Sequence, residues 1–97
     1  MVNEFFTKLA DRWTAAASRR SVTIAPPTLE PVVADEVLEL ARVVAHTKER
    51  RFAPLASFVA GMATERLRTS KAGSDAASVA AYIREVRVEL EREAPPA

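Results

Sequence analysis

The stretch His46-Thr47-Lys48-Glu49-Arg50-Arg51 is the densest set of chemically capable side chains in this sequence. It gathers the chain's one histidine and an arginine pair, and Pro54 follows closely. Proline suits the first position of a helix, where its missing N–H costs nothing. A helix opened by Pro54 takes Ala53 as its N-cap, and alanine offers no side-chain acceptor to the first N–H groups. A helix N-terminus also carries partial positive charge and attracts anions. The chemistry expected here is capture of a phosphate or carboxylate. Arg50 and Arg51 would neutralise it, His46 would donate a hydrogen bond, and the backbone at Leu55 and Ala56 would cap it. In the plainer alternative, water or a carboxylate of the same chain caps the helix, and His46 complements the C-terminal dipole of its own helix.

Other chemistries find little support. There is no Walker loop, GxGxxG, GxSxG or HExxH motif. The chain has no cysteine, which excludes disulfides, thiolate metal sites and a cysteine nucleophile. A single histidine leaves no His-rich metal site, and no serine is spaced to form a triad with it. Glu36 and Glu39 form a carboxylate pair, but such pairs on a charged helix face usually meet solvent. Arg19-Arg20, Arg50-Arg51 and Arg66, Arg68 and Lys71 are basic enough to consider nucleic acid. However, 14 Lys/Arg face 13 Asp/Glu, leaving a net charge of +1 and no global field for a polyanion. The 97 residues suit one small domain, and 48% hydrophobic with 28% charged residues is a globular balance. No signal peptide is visible, and the weakly polar run 52–63 is too short for a bilayer, which needs about 20 residues.

The elements that must position these groups are helices. Nineteen alanines stand against two glycines, and alanine is the best helix former. A first helix is expected over residues 3–18, with Asn3 as N-cap and an apolar stripe of Phe5, Phe6, Leu9, Ala10, Trp13, Ala16 and Ala17. That stripe is expected to face the core; the alternative is a sticky surface helix for a partner. Residues 19–27 read as a linker, since Pro26-Pro27 cannot continue a helix. Val22 and Ile24 share one side of an extended segment and are expected to pin the linker to the core. A second helix is expected over 31–47, striped by Val33, Val37, Leu40, Ala41 and Val44 and broadened by Leu38 and Val43. A third is expected over 54–69, with Leu55, Phe58, Val59, Met62, Ala63 and Leu67 facing inward. Gly61 lies inside it, tolerable if another helix approaches closely. After a break at 71–73, Ser74 or Asp75 is expected to cap a fourth helix ending near 93. Its residues Ala76, Val79, Ile83, Val86 and Leu90 are spaced 3, 4, 3, 4, a heptad-like seam.

The segment Val37-Leu38-Glu39-Leu40-Ala41-Arg42-Val43-Val44-Ala45-His46, the arginine pair, and Ala53-Pro54-Leu55-Ala56-Ser57-Phe58-Val59-Ala60-Gly61 together resemble a family. It is a small helical domain of actinobacteria and related organisms, with a pattern close to LLxLAR-x-x-AH, a short basic turn, then APLTTFLxG. The resemblance covers about residues 37–63. Ala56-Ser57 stand where the pattern usually has two threonines, and Phe52 stands where a smaller residue is common. The matching positions are His46, Arg50, Ala53, Pro54, Leu55, Phe58 and Gly61. That family occurs alone or fused after nucleotidyltransferase domains similar to molybdenum-cofactor guanylyltransferases. The resemblance implies a helical domain linked to molybdenum-cofactor biosynthesis and carries over no catalytic residue.

The sequence therefore predicts an all-α chain, a compact four-helix bundle forming one domain over 1–94 with a loose tail at 95–97. The expected role is a non-catalytic interaction or accessory module in the cytoplasm, with no cofactor, metal or membrane contact. It would join itself or a larger enzyme through Val79, Ile83, Val86 and Leu90. The alternatives are an anionic small-molecule site at His46, Arg50, Arg51, Leu55 and Ala56, and, further back, DNA binding.

Overall fold

The computed structural model describes residues 4–70 and 75–93. Four helices follow in order: α1 (Glu4–Ser18), α2 (Pro31–Thr47), α3 (Phe52–Ser70) and α4 (Ala76–Glu93). The all-α, four-helix class expected from the sequence is borne out, and no strand occurs among the described residues. The chain divides into two compact units, Met1–Pro31 and Val32–Ala97. The break expected at 71–73, Ser74 as a possible cap, and the tail at 95–97 lie outside the described residues.

In the first unit, α1 ends in a left-handed turn. The Val22 N–H donates to the Ala17 carbonyl at 3.0 Å, and the Ser21 N–H donates to the Ser18 carbonyl at 2.9 Å. Ser21 takes φ 61° to allow this, a position more often held by glycine. The stripe of α1 is not a buried core face. Ala10 is buried, but Phe5 and Trp13 are 62% and 60% exposed. Val22 and Ile24 are also exposed rather than pinned.

In the second unit, α2 and α4 supply the centre. Leu40 and Val44 of α2 meet Val79 and Ile83 of α4, with Val79 fully buried. Val33, Val37, Ala56, Ala60 and Leu90 surround that cluster. The apolar 3–4 spacing on α2 and α4 thus forms a core, as helical periodicity demands. The third helix departs from expectation. It turns its alanines inward, so Ala56 and Ala60 touch the core while Leu55, Phe58 and Val59 face outward. Four residues apart, the two alanines share one face and let the helix lie close to its neighbours.

A partly buried ion-pair network clamps α2 to α4. Glu36 on α2 lies 3.3 Å from Arg84 and 3.4 Å from Arg87 on α4. Arg87 also reaches Glu91 at 2.8 Å. Asp75 caps α4, accepting the Ser78 N–H at 2.8 Å. That bond, then the Ser78 hydroxyl, holds the Asp75 carboxyl below its usual pKa. A depressed carboxyl pKa gives a contribution that is present above the unfolded value and lost as pH falls through the folded one. Amides at the start of α4 should therefore stay protected from hydrogen exchange down through about pH 3.9, the ordinary Asp value. They should lose protection below it, and Asp75→Asn should flatten this response.

Gly61 has no close neighbour. A Cβ there would meet no atom within 4 Å, so the close helix approach expected from the sequence is absent. Gly61→Ala should stabilise the chain by about 0.5–1 kcal/mol, because alanine restricts the unfolded chain and costs nothing here. A thermal melt that fell instead would show a contact at this position.

Candidate functional site

The turn between α2 and α3 is organised differently from the expected anion site. The helix begins two residues earlier, at Phe52, with Pro54 inside its first turn. The Phe52 N–H donates to the Glu49 carbonyl at 2.9 Å, and the Ala53 N–H donates to the Arg50 carbonyl at 3.2 Å. Pro54 has no N–H to offer. Two of the early N–H groups of α3 thus already have carbonyl partners, and a third is missing. His46 is exposed, and its Nδ1 lies 2.7 Å from the Arg42 carbonyl one turn back. A carbonyl only accepts, so Nδ1 carries the proton and the ring folds onto its own helix. The Arg51 Nε lies 3.4 Å from Glu49, and its guanidinium carbon stands 5.8 Å from the centre of the Phe52 ring. Arg50 is exposed. Leu55 points outward, and Ala56 belongs to the core boundary. The five residues share one stretch of chain, but His46 and Arg51 already have local partners. No group of three metal-ligating side chains occurs among the described residues.

The seam on α4 is mostly interior. Val79 and Ile83 are buried in the core and Leu90 packs against it. Of the four residues expected at an interface, Val86 alone is exposed, at 45%. Val79 is fully buried, while Ile83 and Leu90 also line the groove described next.

The surface that remains open is apolar. A groove of about 410 Å³ runs between α3 and α4, floored by Leu40 and Ile83 and walled by Val59, Ala60, Tyr82 and Val86. Beside it, Leu55, Phe58 and Val59 are 62%, 69% and 57% exposed, and Met62 is less exposed. Positions 55, 58, 59 and 62 form a second apolar face at i, i+3, i+4 and i+7. A helix apolar on two sides is normally covered on both. Isolated exposed apolar residues are ordinary, whereas these four are contiguous and border a groove. The sequence assigned this face to the core because both faces of α3 carry helical spacing. The signal that separates them is residue size: the face with alanines can approach a helix closely, and the face with Phe58 cannot. Tyr82 went unnoticed because it falls between the heptad positions of α4.

The first unit has an apolar cleft of its own, of about 370 Å³, between α1 and the proline segment. Phe6, Leu9, Trp13, Pro26, Pro27 and Leu29 line it. No helix among the described residues is long and apolar enough to cross a membrane.

Four helices and an apolar groove define a small all-α domain. The chain belongs to the family described as domain of unknown function DUF6457, whose model matches residues 6–96. No curated protein and no solved structure matches it.

Proposed function

We propose that this chain is a non-catalytic helical interaction module, and that the outer face of α3 with the α3/α4 groove is its docking surface. The observation that carries this reading is the exposure of Leu55, Phe58 and Val59 beside an open apolar groove. An amphipathic helix laid into such a groove removes these side chains from water, worth about 1.5–3 kcal/mol for each one fully buried. The resemblance of residues 37–63 to a domain fused to nucleotidyltransferases suggests the setting, an accessory role beside an enzyme of molybdenum-cofactor biosynthesis in the cytoplasm. The anion-binding alternative has fewer donors to draw on, because the Phe52 and Ala53 N–H groups donate to carbonyls.

The test uses tagged wild-type chain and Leu55→Glu/Phe58→Glu chain as baits in a lysate of the native host. Both positions are exposed, so the variant should melt within about 0.5 kcal/mol of wild type per site. Wild type should retain a protein, or untagged copies of itself, that the variant releases. Loss of one well-buried anchor typically costs about 2 kcal/mol, or about thirtyfold in Kd. Identical retention by both baits would overturn the docking surface.

A further inference from the structure

We infer that the groove between α3 and α4 receives α1 of a second copy of this chain. This rests on the docking-surface reading and adds the occupant. Charge complementarity at matched spacing selects this occupant. On α4, Glu85 follows Tyr82 by three residues and Glu89 follows Val86 by three, so both flank the groove wall. Glu93 continues the same edge one turn on. All three are exposed, and none meets a cation among the described residues. Arg84 and Arg87 of α4 both reach Glu36 on α2, while Arg92, the third arginine of the helix, lies on the same edge as Glu85 and Glu89. One rim of the groove therefore carries three carboxylates against one arginine and is net acidic.

The helix α1 has the opposite design. Phe5, Leu9 and Trp13 recur every four residues, with Phe5 and Trp13 more than half exposed. Lys8 and Arg12 lie along one edge of that stripe, again four apart. Lys8 meets only Glu4, at 3.4 Å across open surface, a pairing of little energetic weight. Arg12 meets no carboxylate among the described residues. Four residues rise about 6 Å in any α-helix, so Lys8 and Arg12 match Glu85 and Glu89 in separation. Aromatic anchors then enter an apolar groove while the basic edge faces the acidic rim. Exchange of α1 between two copies gives two equivalent contacts about a two-fold axis. Once the first forms, the second is intramolecular, which raises the joint affinity.

The chain has no cysteine, so a single Asp11→Cys on the polar side of α1 can carry a nitroxide without competition. The labelled chain, unenriched in isotope, is mixed with ¹⁵N-labelled wild type, and amide broadening in the ¹⁵N copy is read. Broadening confined to residues 55–62 and 82–89, absent with a diamagnetic label, is the expected result. No broadening at several hundred micromolar chain overturns the inference; retention of a different protein by the wild-type bait would then leave the docking surface standing. A second measurement guards against a perturbing label. Lys8→Glu/Arg12→Glu and Glu85→Lys/Glu89→Lys should each weaken the dimer about tenfold in sedimentation equilibrium. The chain carrying all four substitutions should recover wild-type affinity. A fourfold variant as weak as either parent overturns the inference, and unchanged circular dichroism rules out misfolding as the cause.

Discussion

Replacing Ile83 by alanine should destabilise this chain by about 3 kcal/mol. Ile83 shares the core cluster with Leu40, Val44 and Val79 and is nearly fully buried. Its truncation removes apolar contact and leaves a cavity that the surrounding helices fill only in part. Small domains have about 5–15 kcal/mol of total stability, so the loss is a large share. At about 4–8 °C per kcal/mol for a chain of this size, the melting temperature should fall by roughly 12–24 °C. Val86→Ala, one turn away and half-exposed, should cost much less. Thermal melts followed by circular dichroism check both. Equal effects at the two positions would mean that α4 does not present Ile83 to the core.

The second large effect should come from Glu36. Its carboxylate serves both Arg84 and Arg87, and the side chains of Glu36 and Arg87 are 17% and 16% exposed. Glu36→Leu leaves Arg87 partly buried with only Glu91 beside it, a loss of about 2 kcal/mol. Replacing both partners, as Glu36→Leu/Arg87→Met, should recover most of it, because an apolar pair of similar volume needs no compensating charge. Urea denaturation of the two single variants and the double variant reads the coupling directly. Simple additivity would show that the pair does not act across the α2–α4 contact.

Much of this architecture is legible in the sequence, because capping and periodicity are local. Pro31 opens α2 and Thr47 closes it as the pattern predicts, and Asp75 caps α4 through Ser78. The apolar spacing of α2 correctly points to Leu40 and Val44 as core, whereas on α4 it marks Val79 and Ile83 as an interface seam and the fold places them in the core. What local pattern cannot supply is the choice between competing partners for the same group. Pro54 marks a helix start, but whether Phe52 and Ala53 extend it backwards depends on the Glu49 and Arg50 carbonyls coming within reach. The same gap explains the candidate site: Ala53 looks like an unsupported N-cap only if the helix starts after it. On α3 the difficulty is two apolar faces with one core to fill. The alanine face won that place, because a close helix contact excludes Phe58 but admits Ala56 and Ala60. The seam on α4 shows the converse, since a heptad-like spacing serves an intramolecular core as readily as an interface.

The fold leaves the outer face of α3 open, and on the proposed reading a partner covers it. The most direct measurement is solvent paramagnetic relaxation of the Leu55, Val59 and Met62 methyl groups, using an inert soluble gadolinium complex over a series of chain concentrations. The prediction is strong relaxation in dilute chain, as for any exposed surface group, falling as the concentration rises or as a captured partner is added. Protection at every dilution, or full exposure under all conditions including the presence of that partner, would contradict it.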